Sequence, residues 1–508
     1  MTDGVLTRTR NGAALPLARV PVSPFDAFRG ALLGELAAGR RLVAFFAAPE
    51  AGAAAALWAV VADDGPGTLA VARTVLAEDG FPSLTPAAPQ AHLFEREMAE
   101  QLGLKPQGHP WLKPVRYRPS WRPGHDAWGR KAGEAILPAV GDFFRVDGDE
   151  VHEVAVGPVH AGVIEPGHFR FQCHGERVFH LEIALGFQHR GVEESLVGGP
   201  HRQTAARMET AAGDTTIGHA TAFAQALEAL SGTSVPPRAQ ALRGIALELE
   251  RLANHTGDLG ALAGDVGFLP TSSYCGRLRG DFLNMTALLC GSRFGRGLVR
   301  PGGTLVDADD AMASELRRRL EEAMRDLRGA AELLFGATTV TARFEGAGRV
   351  DSATAESIGL VGPAARACGV DQDVRRDHPT GIWRFAHVPV MTAHDGDVNS
   401  RAFVRWLEAQ RSADFVKAQL ASLPKGAVRN APKPLRPDHV TVSLVEGWRG
   451  EICHVAVTGA DGRFARYKVV DPSFHNWMGL AMALRNEEIS DFPLCNQSFN
   501  LSSCGHDL

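Results

Sequence analysis

Three groups of residues in this chain have the types and spacing to do chemistry. The first lies in Gly157-Pro158-Val159-His160-Ala161-Gly162, followed by Glu165-Pro166-Gly167-His168-Phe169-Arg170-Phe171. His160, Glu165 and His168 put two imidazoles and a carboxylate on one Gly/Pro-rich loop, a set that can relay protons near neutral pH. The bland alternative is a loop closed by its own hydrogen bonds. The second group is Asp214-Thr215-Thr216, with His219 one turn on. These small polar side chains can line a water- or ligand-filled pocket. Equally, Asp214 can cap or hydrogen-bond a kink near Gly213 and Gly218. The third group is Cys495, Cys504 and His506. A C-x8-C-x-H set binds zinc only with a further ligand, and the spacing matches no tight metal knuckle. Cys173-His174 has the right chemistry, but nothing in the sequence brings it close. The plainer reading is inert thiols packing as small hydrophobes, so no metal ligand is assigned.

Elements must position these groups, and composition bounds them. The 508 residues suffice for about three domains. Hydrophobic residues at 45% against 22% charged mark a globular chain. A net charge of −5 gives no reason to expect nucleic acid as a partner. The seven cysteines form no C-x-x-C pair, and no export signal is visible, so a reduced, cytosolic setting is the default. The most apolar window, residues 42–62, contains Pro49 and Glu50 and ends at Asp63-Asp64. It reads as two strands around an Ala-rich turn rather than a membrane span.

The fold class expected is α+β. A small N-terminal α+β domain, 1–123, would precede a mostly helical domain with peripheral strands, 150–508. Leu42–Phe46 and Leu57–Val61 read as strands. Pro106 to Pro123 reads as an extended linker, because each proline pushes its predecessor out of the helical region. Leu242, Ile245, Leu249 and Leu252 recur at helical spacing, and residues 401–420 repeat the pattern. Glu315–Arg319 and Glu321–Arg325 are i,i+4 pairs suited to a solvated helix. A second proline stretch, Pro424 to Pro437, leads to strands at His439–Ser443 and His454–Val457, with Asp461-Gly462 as a turn. An isolated His such as His180 or His255 is read as structural.

Several ordered blocks carry a family resemblance. After the loop around His160 come Gly186-Phe187-Gln188-His189-Arg190-Gly191-Val192-Glu193 and Glu248-Leu249-Glu250-Arg251-Leu252-Ala253-Asn254-His255. Gly291-Ser292-Arg293-Phe294-Gly295-Arg296, Gly396-Asp397-Val398-Asn399-Ser400-Arg401 and Asp471-Pro472-Ser473-Phe474 follow. Residues 157–508 resemble the large subunit of membrane-bound, energy-converting (group 4) nickel–iron hydrogenases and the related quinone-site subunit of respiratory complex I. Phe94-Glu95-Arg96-Glu97 and Gln107-Gly108-His109-Pro110-Trp111-Leu112-Lys113 are similar to the cofactor-free peripheral-arm subunit of complex I, a fusion found in formate hydrogenlyase large subunits.

The chain departs from both patterns. Where the hydrogenase family places C-x-x-C, this sequence has Ala212 and Thr215, and Ser502 and Gly505 stand near the C-terminal pair. Nickel and iron in such sites are held by soft thiolates, which Ala, Thr and Ser do not replace. With the sequence stopping just past the C-terminal motif, the resemblance leads us to expect no long tail for a maturation protease. The complex I subunit uses a Tyr near Gly213, and none of the three Tyr here falls in that helix.

The resemblance therefore implies a redox-complex subunit without its own nickel–iron centre or other bound cofactor. Iron–sulfur clusters would reside in partners: a small iron–sulfur subunit and a ferredoxin-like subunit. Membrane antiporter-like subunits would hold the complex on the cytoplasmic side of the inner membrane. His160, Glu165, His168 and Asp214 are the cavity and proton-relay candidates; Arg190, Thr215 and His219 are candidates to line it. Quinone binding stays open. So do three alternatives: a complex I-type NADH–quinone oxidoreductase subunit, a hydrogenase with atypical ligands, and a purely structural assembly subunit.

Overall fold

The computed structural model describes residues 4–131, 133–139, 141–160 and 165–508. The N-terminal strands are β1 (Leu6–Thr9), β2 (Ala14–Pro16), β3 (Val22–Ser23), β4 (Arg41–Ala48), β5 (Ala55–Asp63) and β6 (Thr68–Leu76). One sheet has the order β1-β6-β5-β4, with β3 parallel to β6. The apolar window is thus two antiparallel strands around a turn, as its composition implies. Helix α1 (Phe25–Ala37) buries Phe28 and Leu32 in the same core. β7 (Gly80–Pro82) and β8 (Lys105–Gln107) pair in parallel around α2 (His92–Leu102).

The proline-rich stretch after β8 is extended, but it is not a free linker. Val115 and Arg116 are buried in it. Arg116 donates to Glu97 Oε1 at 2.6 Å and to the carbonyl of His506 at 2.8 Å. Prolines fix an extended backbone, and the side chains between them tie the strap to both halves of the chain.

A three-stranded antiparallel sheet, β9 (Val151–Val156), β10 (His168–His174) and β11 (Arg177–Ala184), opens the second part. Helices α3 (Thr204–Met208), α4 (Thr216–Ser231), α5 (Pro237–Asp265) and α6 (Leu269–Cys290) lead to a small ribbon, β12 (Val299–Arg300) and β13 (Gly303–Thr304). Then come α7 (Asp310–Gly336), α8 (Thr338–Phe344), α9 (Ser352–Ile358), α10 (Gly362–Ala367), α11 (Val374–Asp377) and α12 (Val398–Ala421). The periodic Ile245, Leu249 and Leu252 of α5 lie in the main core with α6, α7 and α12. On the solvated face of α7, Glu315 pairs with Arg318 and Arg319, and Arg318 also reaches Glu322.

The last sheet, β14 (His439–Gly447), β15 (Gly450–Thr458) and β16 (Phe464–Val470), has the order β16-β15-β14-β2. Ala14, Leu15 and Pro16 of β2 pair with Thr441, Val440 and His439, so the N-terminal segment is stitched into the C-terminal sheet. β14 and β15 run longer than the sequence pattern implies. Val440–Gly447 and Gly450–Thr458 are buried throughout, which removes the alternation that marks a half-exposed strand. α13 (Pro472–Ala483), α14 (Phe492–Phe499) and α15 (Ser503–His506) complete the fold.

Between α5, α12 and β14 lies a buried ionic cluster. Glu248 accepts from Arg375 at 3.0 Å, Arg251 at 3.1 Å and Ser412 at 2.6 Å. Arg366 bridges Glu408 and Glu446 at 2.8 and 2.9 Å. Removing one member strands its partners in low dielectric, which costs about 3–5 kcal/mol. Arg375→Met should lower the urea midpoint by that equivalent at an unchanged m-value. A loss under about 1 kcal/mol would show that the cluster does not hold α11 to α5.

Candidate functional site

The site is built around the tip of the β14–β15 hairpin. Trp448 and Arg449 form its two-residue turn, and Gly450 follows with φ of 133°, a conformation that favours glycine. A Cβ at Gly450 would lie 2.8 Å from the Cα of Gly362, so the tip packs backbone-to-backbone on the start of α10.

Arg449 lies between the two segments in which the resembled family carries its cysteines. Its guanidinium donates to Asp214 Oδ2 at 2.8 Å and to Thr215 Oγ1 at 3.3 Å on one side, and to the carbonyl of Asn500 on the other. It also sits 3.9 Å from the centroid of the Trp448 ring. Trp448 Nε1 donates to Thr215 Oγ1 at 3.1 Å and to the Asp214 carbonyl at 3.2 Å. Burial works against the Arg449 charge, but Asp214, Asp471 and Glu165 outweigh it and raise the guanidinium above its ordinary range. The Arg449 side chain is 5% exposed and that of Asp214 30%, so the pair is open at the carboxylate edge.

Arg190 makes a second bridge between the same segments. It donates to the carbonyls of Thr210 at 2.7 Å and Ala211 at 2.9 Å, and to that of Cys504 at 3.2 Å. Glu165 accepts from the backbone N–H groups of Ser503 and Cys504 and from Ser502 Oγ, holding the start of α15.

Behind Arg449 runs a buried hydrogen-bond chain. Tyr467 Oη is 2.9 Å from His454 Nδ1, His454 Nε2 is 3.1 Å from His219 Nδ1, and His219 Nε2 is 2.9 Å from Asp471 Oδ2. One set of tautomers, each group donating toward Asp471, satisfies every link. Burial pushes the Asp471 carboxyl up, but the His219 hydrogen bond and the Arg449 charge hold it below its usual value. His454 is driven well below the ordinary imidazole range, first by burial and then by His219. Asp471 also caps α13, accepting from Ser473 N at 2.8 Å.

The donors do not fit a thiolate-held metal pair. Ala212, Thr215, Ser502 and Gly505 bring no sulfur. A Cβ at Gly505 would fall 2.6 Å from Asp471 Oδ1, so a cysteine there would displace the carboxylate. The nearby thiol, Cys504, is pushed up to about 12 by burial and by Glu165, which keeps it protonated. Among the described residues, no group of three or more His, Cys, Asp and Glu is arranged to hold a metal ion.

Comparison with known proteins places this architecture. The 49 Kd subunit family of respiratory-chain NADH dehydrogenase matches residues 265–439, and the 30 Kd subunit family matches residues 59–128. The carbon monoxide-induced hydrogenase of Rhodospirillum rubrum is 30% identical over 350 residues, 69% of this chain and 97% of that protein. This chain belongs to the family of energy-converting hydrogenase and complex I large subunits. Formate hydrogenlyase subunit 5 of Escherichia coli is 28% identical over 425 residues, 82% of this chain and 74% of that protein. An NADH-quinone oxidoreductase subunit of Clostridium beijerinckii is 28% identical over 325 residues, 63% of this chain and 87% of that protein.

Of the residues singled out from sequence, the structure gathers Glu165, Arg190, Asp214, Thr215 and His219 around Arg449 and α15. His160 and His168 face their own loop. His160 Nε2 meets the Gly167 carbonyl at 2.9 Å, and His168 Nδ1 meets that of Gly157 at 3.1 Å. Ala161 and Gly162 of that loop lie outside the described residues. Asp214 does not cap α4; it pairs with Arg449 instead. The terminal trio separates: Cys495 packs at Gly348 beside Arg401, Cys504 meets Gln188, and His506 bonds Asp507. Arg449, His454 and Tyr467 join this cluster and are not singled out from the sequence. The Gly-Trp-Arg-Gly turn is the available signal, hidden because the strand pattern of β14 stops at Ser443.

Glu250 also belongs to the site. It accepts from the N–H groups of Ile217 at 2.7 Å and Gly218 at 3.2 Å at the start of α4. Burial raises its carboxyl to about 8 from 4.5, against those two hydrogen bonds. The folded state then holds this proton more tightly than the unfolded chain. Stability from this group is present below pH 4.5 and declines as pH rises toward about 8. Glu250→Gln should flatten the stability profile across that window, as read by urea midpoints at successive pH values. An unchanged slope would contradict the assignment.

Proposed function

We propose that this chain is the hydrogenase-related large subunit of a membrane-associated redox complex, with the Arg449–Asp214 ion pair in place of a nickel–iron centre. The observation that carries the reading is one guanidinium tying Asp214 and Thr215 to Asn500, where the family's two cysteine segments meet. A cation is retained at that point, but it is a fixed side chain with no redox chemistry of its own.

Electrons would pass between iron–sulfur clusters in a small subunit and a ferredoxin-like subunit, and an acceptor would meet the open Asp214–Glu165 edge. A quinone is the acceptor class suggested by the NADH-quinone oxidoreductase relatives. The chain's own part is to hold charge and protons at that edge. Asp471 and His219 lie fully buried behind Arg449, and Asp471 steadies its charge. His454 and Tyr467 keep His219 in the tautomer that donates to Asp471. No helix among the described residues is long and apolar enough to cross a membrane. Antiporter-like partner subunits would therefore supply the attachment, on the cytoplasmic face of the inner membrane.

Affinity purification of the tagged native complex tests the reading. An iron–sulfur small subunit and membrane subunits should copurify, and the complex should transfer electrons to a quinone. Glu165→Gln and Asp214→Asn should each lower that turnover about tenfold or more, while subunit composition stays unchanged, because each removes a carboxylate at the reacting edge. Recovery of the chain as a solitary, monodisperse monomer, or full turnover in both variants, would overturn it.

A further inference from the structure

The seam between the N-terminal part and the helical body contains a small cavity that none of the site chemistry uses. It lies between α2, the proline-rich strap, β11 and α13, with a volume of about 40 Å³. One buried water occupies about 10–15 Å³ on this scale, so there is room for three or four heavy atoms. Leu181, Leu185 and Ala481 supply apolar wall.

Its polar lining is unusual in sign. Arg96 is 6% exposed and, among the described residues, donates to the carbonyls of Lys113 at 2.8 Å and Pro114 at 2.9 Å, with Trp111 stacked 4.5 Å from its guanidinium. Among the described residues no carboxylate forms an ion pair with it within 4.0 Å. Glu182, paired with Lys113, and Glu100, which accepts from the backbone of Arg116 and Arg118, act on Arg96 only from beyond contact. Trp477 is 6% exposed, and its indole N–H has no acceptor among the described residues. His92 Nδ1 is likewise buried and unpartnered. Burial and the Arg96 charge drive His92 down to about 3, so it is neutral. His506, also lining the cavity, is held below the ordinary imidazole range, chiefly by burial.

Among the described residues, the only formal charge in the lining is therefore a buried cation with no carboxylate in contact, beside two unsatisfied ring nitrogens. Waters would satisfy the nitrogens but place no anion against the guanidinium. A carboxylate does both, accepting from the guanidinium and the indole N–H together. A phosphate ester or a quinone ring is too large for this volume. We propose that this seam cavity is a binding site for a small carboxylate monoanion of acetate size, held by Arg96, Trp477 and His92. The bound anion would bridge α2 of the N-terminal part to α13 of the helical body.

The test is equilibrium dialysis of the full chain in its native complex against radiolabelled acetate. Ionic strength is held with sodium gluconate, whose anion exceeds the cavity. One equivalent of acetate per chain is expected. Trp477→Phe keeps the ring and removes the donor, and should weaken binding about tenfold or more. Ala481→Leu fills the cavity from its apolar wall while leaving Arg96, Trp477 and His92 in place. It should abolish uptake, and it decides the matter alone if Trp477→Phe does not fold. No saturable acetate uptake by the unaltered chain, or equal uptake in the folded variants, would overturn the proposal. Neither result bears on electron transfer, so this site stands or falls separately from the redox reading.

Discussion

A buried guanidinium must be surrounded by hydrogen-bond acceptors, and much of the site follows from where Arg449 finds them. Moving an arginine out of water costs several kcal/mol unless carboxylates and carbonyls replace the lost hydration. Arg449 recruits Asp214 directly, feels Asp471 and Glu165, and takes the Asn500 carbonyl. Those groups come from the turn before α4, the start of α13, the loop before β10 and the end of α14. Four segments distant in sequence are thereby fixed around one hairpin tip. A metal held by four thiolates would impose a similar constraint on two of those segments. Here the constraint is met by charge pairing among hard oxygen and nitrogen groups.

The same logic explains why the proton-bearing groups sit behind the ion pair. Asp471 caps α13, underlies Gly505 and accepts from His219, so its carboxylate is committed on three sides. His219 is in turn fixed by His454, and His454 by Tyr467. Phe223 and Phe464 pack around Tyr467, closing the far end of the chain. The arrangement can hold and reorient a proton next to the Arg449 cluster, and its apolar far end suits it to storage rather than through-conduction.

Much of this is legible in the sequence, for identifiable reasons. The strands at 41–48 and 55–63 announce themselves as apolar runs, and α5 and α12 by helical spacing. Glu165, Asp214, Thr215, His219 and Arg190 stand in or beside family blocks and converge as a group. Arg449 and His454 are not legible, because β14 and β15 are buried on both faces and lose the alternation that fixes strand length. The turn between them therefore has no visible position. The strap at 106–123 misleads for a related reason: proline content reports backbone shape and says nothing of what Arg116 will bind. The loop histidines His160 and His168 have the right chemistry, but local carbonyls lie closer to them than the cluster does.

In the proposed reading, the Arg449–Asp214 ion pair stands where the family holds its metal centre. Elemental analysis of the native complex, paired with a hydrogen-uptake assay on the same preparation, tests it most directly. The expected result is iron from partner clusters, nickel far below one equivalent per chain, and no hydrogen uptake. Near-stoichiometric nickel, or hydrogen uptake by the complex, would contradict it.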